Sequence, residues 1–189
     1  MLRKIITPLF KNRWLSISPS KTRYLYEDPS QIKNFKLQTS VVTCFIQYQD
    51  SLLVLKRSPK ENQSFIWGTP GGKIEKNDTT PEAALVREVS EETGIKLQSD
   101  ALQFIAKRYS RVPGWDYILY IYHTVLYEKP YVQLSDEHIE AKWAPCDSFK
   151  SLSLLTTQEE AFDLIFDKRK EPRAQAVENN LCSMYRTRD

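Results

Sequence analysis

The sequence predicts a mixed α/β (α+β) fold, an antiparallel or mixed sheet with helices packed on its faces. Strand-like runs rich in β-branched and aromatic residues recur from Leu37 to Pro145, separated by turn residues. Two other stretches, one opening at Pro81 and one near Thr157, carry apolar residues at helical spacing behind capping residues. Apolar content of 41% and charged content of 27% suit a globular domain with its own core. No apolar run approaches the roughly 20 residues that would span a bilayer.

Residues 1–36 form a basic N-terminal extension, with eight Lys or Arg against Glu27 and Asp28. Leu2, Ile5, Ile6, Leu9 and Phe10 fall at helical spacing among Arg3, Lys4, Lys11 and Arg13, with Pro8 interrupting them. The extension either packs on the domain or stays disordered. The alternative is an amphipathic targeting or membrane-touching segment. The remaining 153 residues hold 19 basic and 22 acidic side chains, a net −3. That is not the basic face of a dedicated nucleic-acid-binding domain.

The domain proper is expected over residues 37–171. LQTSVVTCFIQY and LLVLKRS flank Gln49-Asp50-Ser51 and read as a hairpin. Pro59 to Ser64 is a polar loop, and Phe65-Ile66-Trp67 is a short strand ended by Gly68-Thr69-Pro70-Gly71-Gly72. ALQFIAKRY and DYILYIYHTVLY are two more strands, the second closed by Glu128-Lys129-Pro130, and EAKWAP is a short one. TTQEEAFDLIFDKRK, with Thr156 or Thr157 as cap and Ala161, Leu164 and Ile165 on one face, is the second helix. Residues 172–189 are a polar tail with little to bury.

Cys44, Cys146 and Cys182 are odd in number and far apart, which fits a reducing, cytoplasmic compartment better than a disulfide framework. Organelle targeting through the basic extension is the alternative. His123 and His138 are too separated for a histidine metal site, and His123 reads as structural.

The first helix is the unusual element. Thr79 or Thr80 caps it, Pro81 suits its first position and Gly94 stops it. At 100° per residue Leu85, Val89, Val86 and Ala83 share one face, anchoring the helix to a core. Arg87, Glu88, Glu91 and Glu92 fall opposite and should point outward. Glu88 repels Glu91 and Glu92 at i+3 and i+4, which costs roughly 0.2–0.5 kcal/mol per pair. Such a face is either solvated or waits for cations. Oxygen donors without His or Cys suit Mg²⁺ or Mn²⁺.

Gly72 followed by Arg87-Glu88-Val89-Ser90-Glu91-Glu92-Thr93-Gly94-Ile95 resembles the Nudix box, G-x5-E-x7-R-E-U-x-E-E-x-G-U with U aliphatic. Trp67 to Gly72 is similar to the family's usual run into the box. The resemblance covers about residues 38 to 170. One departure stands out: the spacing from Gly72 to Arg87 is one residue too long. Either Asp78 or Thr79 therefore stands where the family has its first Glu.

The resemblance implies a Nudix-type α/β/α sandwich with helices on both faces of a mixed sheet. It implies Mg²⁺ (or Mn²⁺) held by Glu88, Glu91 and Glu92, with the Gly71 carbonyl as a further ligand and Arg87 orienting a Glu. Glu137, six residues before Trp143, has a MutT-like spacing and is the candidate further ligand or general base, with Glu140 and Asp136 as rivals. The implied reaction is hydrolysis of a nucleoside diphosphate linked to another group, with an ordinary or damaged nucleoside triphosphate as the first choice. Nucleoside diphosphate sugars, dinucleoside polyphosphates, an RNA cap tethered by the extension, and a non-catalytic nucleotide-sensing module are the alternatives. Candidate substrate contacts are Lys56, Arg57 and Lys73. KRYSRVPGWDY, the segment joining two strands, adds Arg108, Arg111, Trp115 and Tyr117, cations and π faces suited to phosphate and base.

Overall fold

Along the middle strands, alternate residues are buried on opposite sides of one sheet, so the chain builds two cores rather than one. The structure, a computed structural model, describes residues 23–112 and 115–167. The Leu2–Phe10 stretch, Pro113-Gly114, Cys182 and the 172–189 tail lie outside them. On strand β2 (Thr39–Tyr48), Val42, Cys44 and Ile46 face one core while Phe45 faces the other. On β3 (Ser51–Arg57), Leu53 and Leu55 oppose Leu52 and Val54 in the same way. Strands covered on both faces read as nearly continuous apolar runs, which is how VVTCFI and LLVL appear.

Helix α1 (Pro81–Thr93) lays Ala84, Leu85 and Val89 on the first core. Helix α2 (Gln158–Phe166) brings Ala161 to the second, where Phe162 stacks on Phe149 with ring centres 4.9 Å apart. Helices therefore cover both faces, the sandwich expected. Thr80 caps α1 by accepting from the Ala83 N–H, and Gly94 ends it in the left-handed conformation. Thr157 occupies the cap position of α2, but its side chain makes no capping bond.

The sheet has seven strands. Its path runs from β1 (Leu25–Tyr26) through β5 (Gln103–Val112), β6 (Trp115–Leu126), β2 and β3 to β4 (Trp67–Gly68), and β7 (His138–Pro145) also pairs with β3. Among the described residues β2 and β6 are the one parallel named pair, from Thr39↔Tyr117 to Tyr48↔Leu126. The predicted hairpin forms, but β2 and β3 pair only beside their turn, at Gln47↔Leu52 and Tyr48↔Ser51. Beyond that they part, and β3 pairs instead with β4 and β7. The glycine-containing segment that follows β4 fills the opening: the N–H groups of Cys44 and Val42 donate to the carbonyls of Pro70 and Gly72, and Ile74 N–H donates to Ser40.

Three expectations change. Segment 107–117 is not a connecting loop in its described part, because β5 runs to Val112 and β6 begins at Trp115. Strand β7 starts at His138 rather than Glu140. Residues 23–36, counted with the extension, lie on the sheet: β1 pairs with β5, and Leu25 and Ile32 are buried. Glu160 of α2 fixes β1 by accepting from the N–H groups of Tyr24 and Leu25.

Candidate active site

The opening between β2 and β3 sets where α1 presents its acids. Gly71 sits at φ +151°, and a Cβ there would come within 2.1 Å of the Val42 carbonyl oxygen. Only glycine lets this backbone lie so close to β2. At Gly72 a Cβ would meet the Glu88 carboxylate at 2.4–2.5 Å. The loop backbone thus forms one wall against which Glu88 is seated, and the Gly71 N–H donates to Glu92 Oε2 at 2.9 Å.

Arg87 organises the helix face. Its Nε and Nη2 donate to Asp78 Oδ1 and Oδ2 at 3.1 and 2.9 Å, a bidentate pair. Nη1 donates to Glu88 Oε1 and Glu91 Oε2, both at 3.0 Å, and Nη2 also donates to the Lys73 carbonyl. All five guanidinium donors are engaged. Of the two residues that could stand where the family has its first Glu, Asp78 holds Arg87, and Thr79 is exposed. Hydrogen bonding from Arg87 keeps Asp78 below the usual carboxylate range.

The three helix carboxylates differ in environment, which corrects the expectation that all point outward. Glu91 is exposed, Glu88 is half-buried, and Glu92 is buried. At 100° per residue Glu92 falls about 60° from Val89 and about 20° from Leu85, at the edge of the buried stripe rather than opposite it, and the 133–135 segment crosses the end of α1 there. Gln133 N–H donates to the Thr93 carbonyl and Ser135 N–H to the Glu92 carbonyl. Burial pushes the Glu92 carboxyl up to about 8, and the negative charges of Glu88 and Glu137 add to this against the Gly71 hydrogen bond. Burial also raises Glu88, opposed by Arg87.

Glu137, exposed immediately before β7, is the acid whose charge bears on both Glu88 and Glu92. Its rival Glu140 pairs with Lys56, Nζ to Oε2 3.4 Å, and Asp136 is exposed. His138 was not foreseen here. It is buried, its Nε2 is 3.8 Å from Glu92 Oε1, and burial lowers its pKa to about 4, so the ring is neutral at neutral pH. Its adjacency to Glu137 was the signal that could have found it.

The substrate candidates separate. Lys73 and Trp115 come together, the ammonium 4.7 Å from the ring centre, and Trp115 is 42% exposed. Arg57 sends charge toward Glu92 but is bonded to Glu61 and to the Asn62 carbonyl. Lys56 and the unforeseen Lys142 flank the Trp67 ring, at 5.5 and 4.1 Å from its centre. Arg111 is corrected: it grips Asp116 through two bonds of 2.6 Å and the carbonyls of Lys33 and Asn34, tying residues 33–34 to the sheet. Tyr117 packs against the second core and Arg108 donates to a backbone carbonyl. A groove of about 460 Å³ behind β7, lined by Leu53, Tyr131 and Trp143 among others, includes none of Glu88, Glu91, Glu92 or Glu137.

Among the described residues no three His, Cys, Asp or Glu side chains converge tightly enough to enclose an ion. The donor set still fits a hard divalent cation. It is all oxygen, Glu88 lies in a glycine cradle, and the like charges beside Glu92 would be relieved by a dication. An open cluster suits Mg²⁺, which keeps waters and borrows substrate phosphates.

The comparisons with known proteins agree with the mixed α/β sandwich. The chain belongs to the NUDIX domain family, whose model matches residues 36–166. The fold is similar to that of a MutT protein from Methanosarcina mazei Go1, with a TM-score of 0.62 and 24% identity, covering 72% of this chain and 98% of that one. It is also similar to the NUDIX domain of Shewanella oneidensis NrtR, solved with ADP ribose, with a TM-score of 0.60 and 20% identity over 72% of this chain and 90% of that one. An 8-oxo-dGTP diphosphatase from Proteus vulgaris is 44% identical over 46 residues, 24% of this chain and 40% of that protein. The match thus spans two fifths of that relative's length.

Proposed function

We propose that the protein is a divalent-metal-dependent pyrophosphohydrolase acting on a nucleoside diphosphate linked to a further group, with a nucleoside triphosphate, intact or oxidised, as the leading substrate. The observation that carries the reading is the electrostatic one. Beside the Gly71-Gly72 wall the charges of Glu88 and Glu137 bear on Glu92, which burial has pushed up to about 8, and Glu137 bears on Glu88 as well. A helix selected for stability alone would not set three carboxylates against a single arginine in this way.

Glu88, Glu91 and Glu92 would hold Mg²⁺ or Mn²⁺, with the Gly71 carbonyl and Glu137 completing the protein's share. A bound divalent ion supplies neutralisation of diphosphate charge and acidification of a water at neutral pH. Arg87 fixes Glu88 and Glu91 while Asp78 fixes Arg87, so the carboxylates are oriented before substrate arrives. Glu137, exposed and on the last segment before β7, would take a proton from the attacking water if it does not itself hold the ion. Lys73 offers charge to the phosphates, and Trp115 beside it offers a face to the base.

The test is Mg²⁺-dependent hydrolysis across a panel: ordinary nucleoside triphosphates, 8-oxo-dGTP, ADP-ribose, a nucleoside diphosphate sugar, a dinucleoside tetraphosphate and capped RNA. Turnover of at least one, falling about 100-fold or more in Glu91→Gln and Glu92→Gln, is expected. Absence of turnover on the whole panel, with nucleotide binding that ignores chelator, would instead make the domain a sensor.

A further inference from the structure

Three polar groups lie buried with no partner in one small region next to Glu92. They are His138 Nδ1, Ser58 Oγ and Ser135 Oγ. The backbone draws their residues together: Ser58 N–H donates to the Glu137 carbonyl, His138 N–H to Ser135, and Ser135 N–H to Glu92. Unsatisfied buried polar atoms cost about 1–3 kcal/mol each, so such a group in a native fold calls for an explanation. The His138 ring spans the region. Its Nδ1 lies among the orphans, and its Nε2 faces Glu92 Oε1 at 3.8 Å. The other Glu92 oxygen, Oε2, is already fixed by the Gly71 N–H.

We infer that His138 is a positioning residue for Glu92: its Nε2–H turns Oε1 into a set orientation while the Gly71 N–H sets Oε2. The inference rests on the metal-binding reading of Glu92 given above. The 3.8 Å separation is longer than a hydrogen bond, and a small rotation of either side chain would close it. With the proton on Nε2, Nδ1 is an acceptor, and the hydroxyls of Ser58 and Ser135 are donors with nowhere else to go. None of the three bonds another directly, and a buried water between them would satisfy all three. A carboxylate ligand held at both oxygens keeps its geometry as the ion enters, and removal of such outer partners lowers metal affinity about 10–100-fold.

The test reads metal binding without turnover: Mn²⁺ titration of the full chain followed by electron paramagnetic resonance, in the absence of nucleotide. A glutamine at 138 can present an amide N–H near the place of Nε2, whereas asparagine is too short and leucine has no donor. His138→Gln should bind Mn²⁺ within about threefold of the parent, and His138→Asn and His138→Leu about 10-fold or more weakly. The asparagine variant keeps the test alive if leucine fails to fold. Equal affinities for the glutamine and asparagine variants would overturn the inference while leaving the metal reading intact. No Mn²⁺ binding by the parent chain would overturn the metal reading itself, and the inference with it. Ring ¹⁵N resonances give an independent check, since the chain has only two histidines. The expected signature is a protonated Nε2 on His138 whose proton shifts when Mg²⁺ is added, with His123 unmoved.

Discussion

Each carboxylate on α1 owes its character to a few neighbours. The motif from Arg87 to Ile95 identified Glu88, Glu91 and Glu92 from sequence alone, because identity and spacing carry that information. Their inequality was only partly legible: a helical wheel sets Glu92 beside Leu85, but the segment that completes its burial lies some forty positions later in the chain. The question of Asp78 or Thr79 was also beyond the sequence, since an extra loop residue can bulge at either place. Arg87 decides it by bonding Asp78. Gly72 offers the sharpest residue-scale prediction. Its missing side chain is where Glu88 rests, so Gly72→Ala must displace that carboxylate. Displacement by about 1 Å costs roughly 100-fold in rate. Activity should fall by about that factor with the circular dichroism spectrum and unfolding temperature little changed, and wild-type activity in Gly72→Ala would exclude Glu88 from the mechanism.

Helix α1 was the most legible element because its cap, its apolar stripe and its glycine stop all agree. The wheel erred by one position: Ala84 rather than Ala83 is fully buried, and Val86 is only partly so. Thr80→Ala removes the bond to the Ala83 N–H and should destabilise the protein by about 1 kcal/mol, seen as a fall of about 2–4 °C in Tm. kcat should change little, since the cap lies at the opposite end of the helix from Glu91. A large loss of kcat would mean that the loop through Asp78 moves with the cap. Strands β5 and β6 were legible as strands from alternation, yet not as a pair that runs out to Val112 and Trp115. Strand β1 was invisible because two residues show no period, and its partners come from β5 and Glu160.

For the molecule as a whole, the buried pair Glu92 and His138 sets a pH dependence. Glu92 stands near 8 when folded against an ordinary 4.5, so the folded state holds its proton more tightly. This contribution to stability declines as pH rises through that window. His138 stands near 4 against an ordinary 6.5, so its contribution grows as pH rises from about 4 to 6.5. The two oppose each other between 4.5 and 6.5, and above 6.5 Glu92 acts alone. Metal-free protein should therefore lose about 2 kcal/mol between pH 6.5 and 8, a fall of roughly 4–8 °C in Tm measured by calorimetry. Glu92→Gln should flatten that decline, and saturating Mg²⁺ should offset it, adding about 2.7 kcal/mol at 100 times its Kd. A Tm in the parent that climbs from pH 6.5 to 8 without metal would contradict the burial of Glu92.

The parallel seam between β2 and β6 also imposes an order in time. Thr39 cannot find Tyr117 until the intervening chain has been made, and Gly71 and Gly72 lean on the same β2 from its other edge. Glu137 and His138 arrive later still, on the strand that closes beside β3. A growing chain would thus carry its acidic helix, with the glycine wall already made, for some time without the histidine beside Glu92. On the metal-binding proposal, competence would be a late event of synthesis, waiting for the strand that carries His138 to dock beside β3.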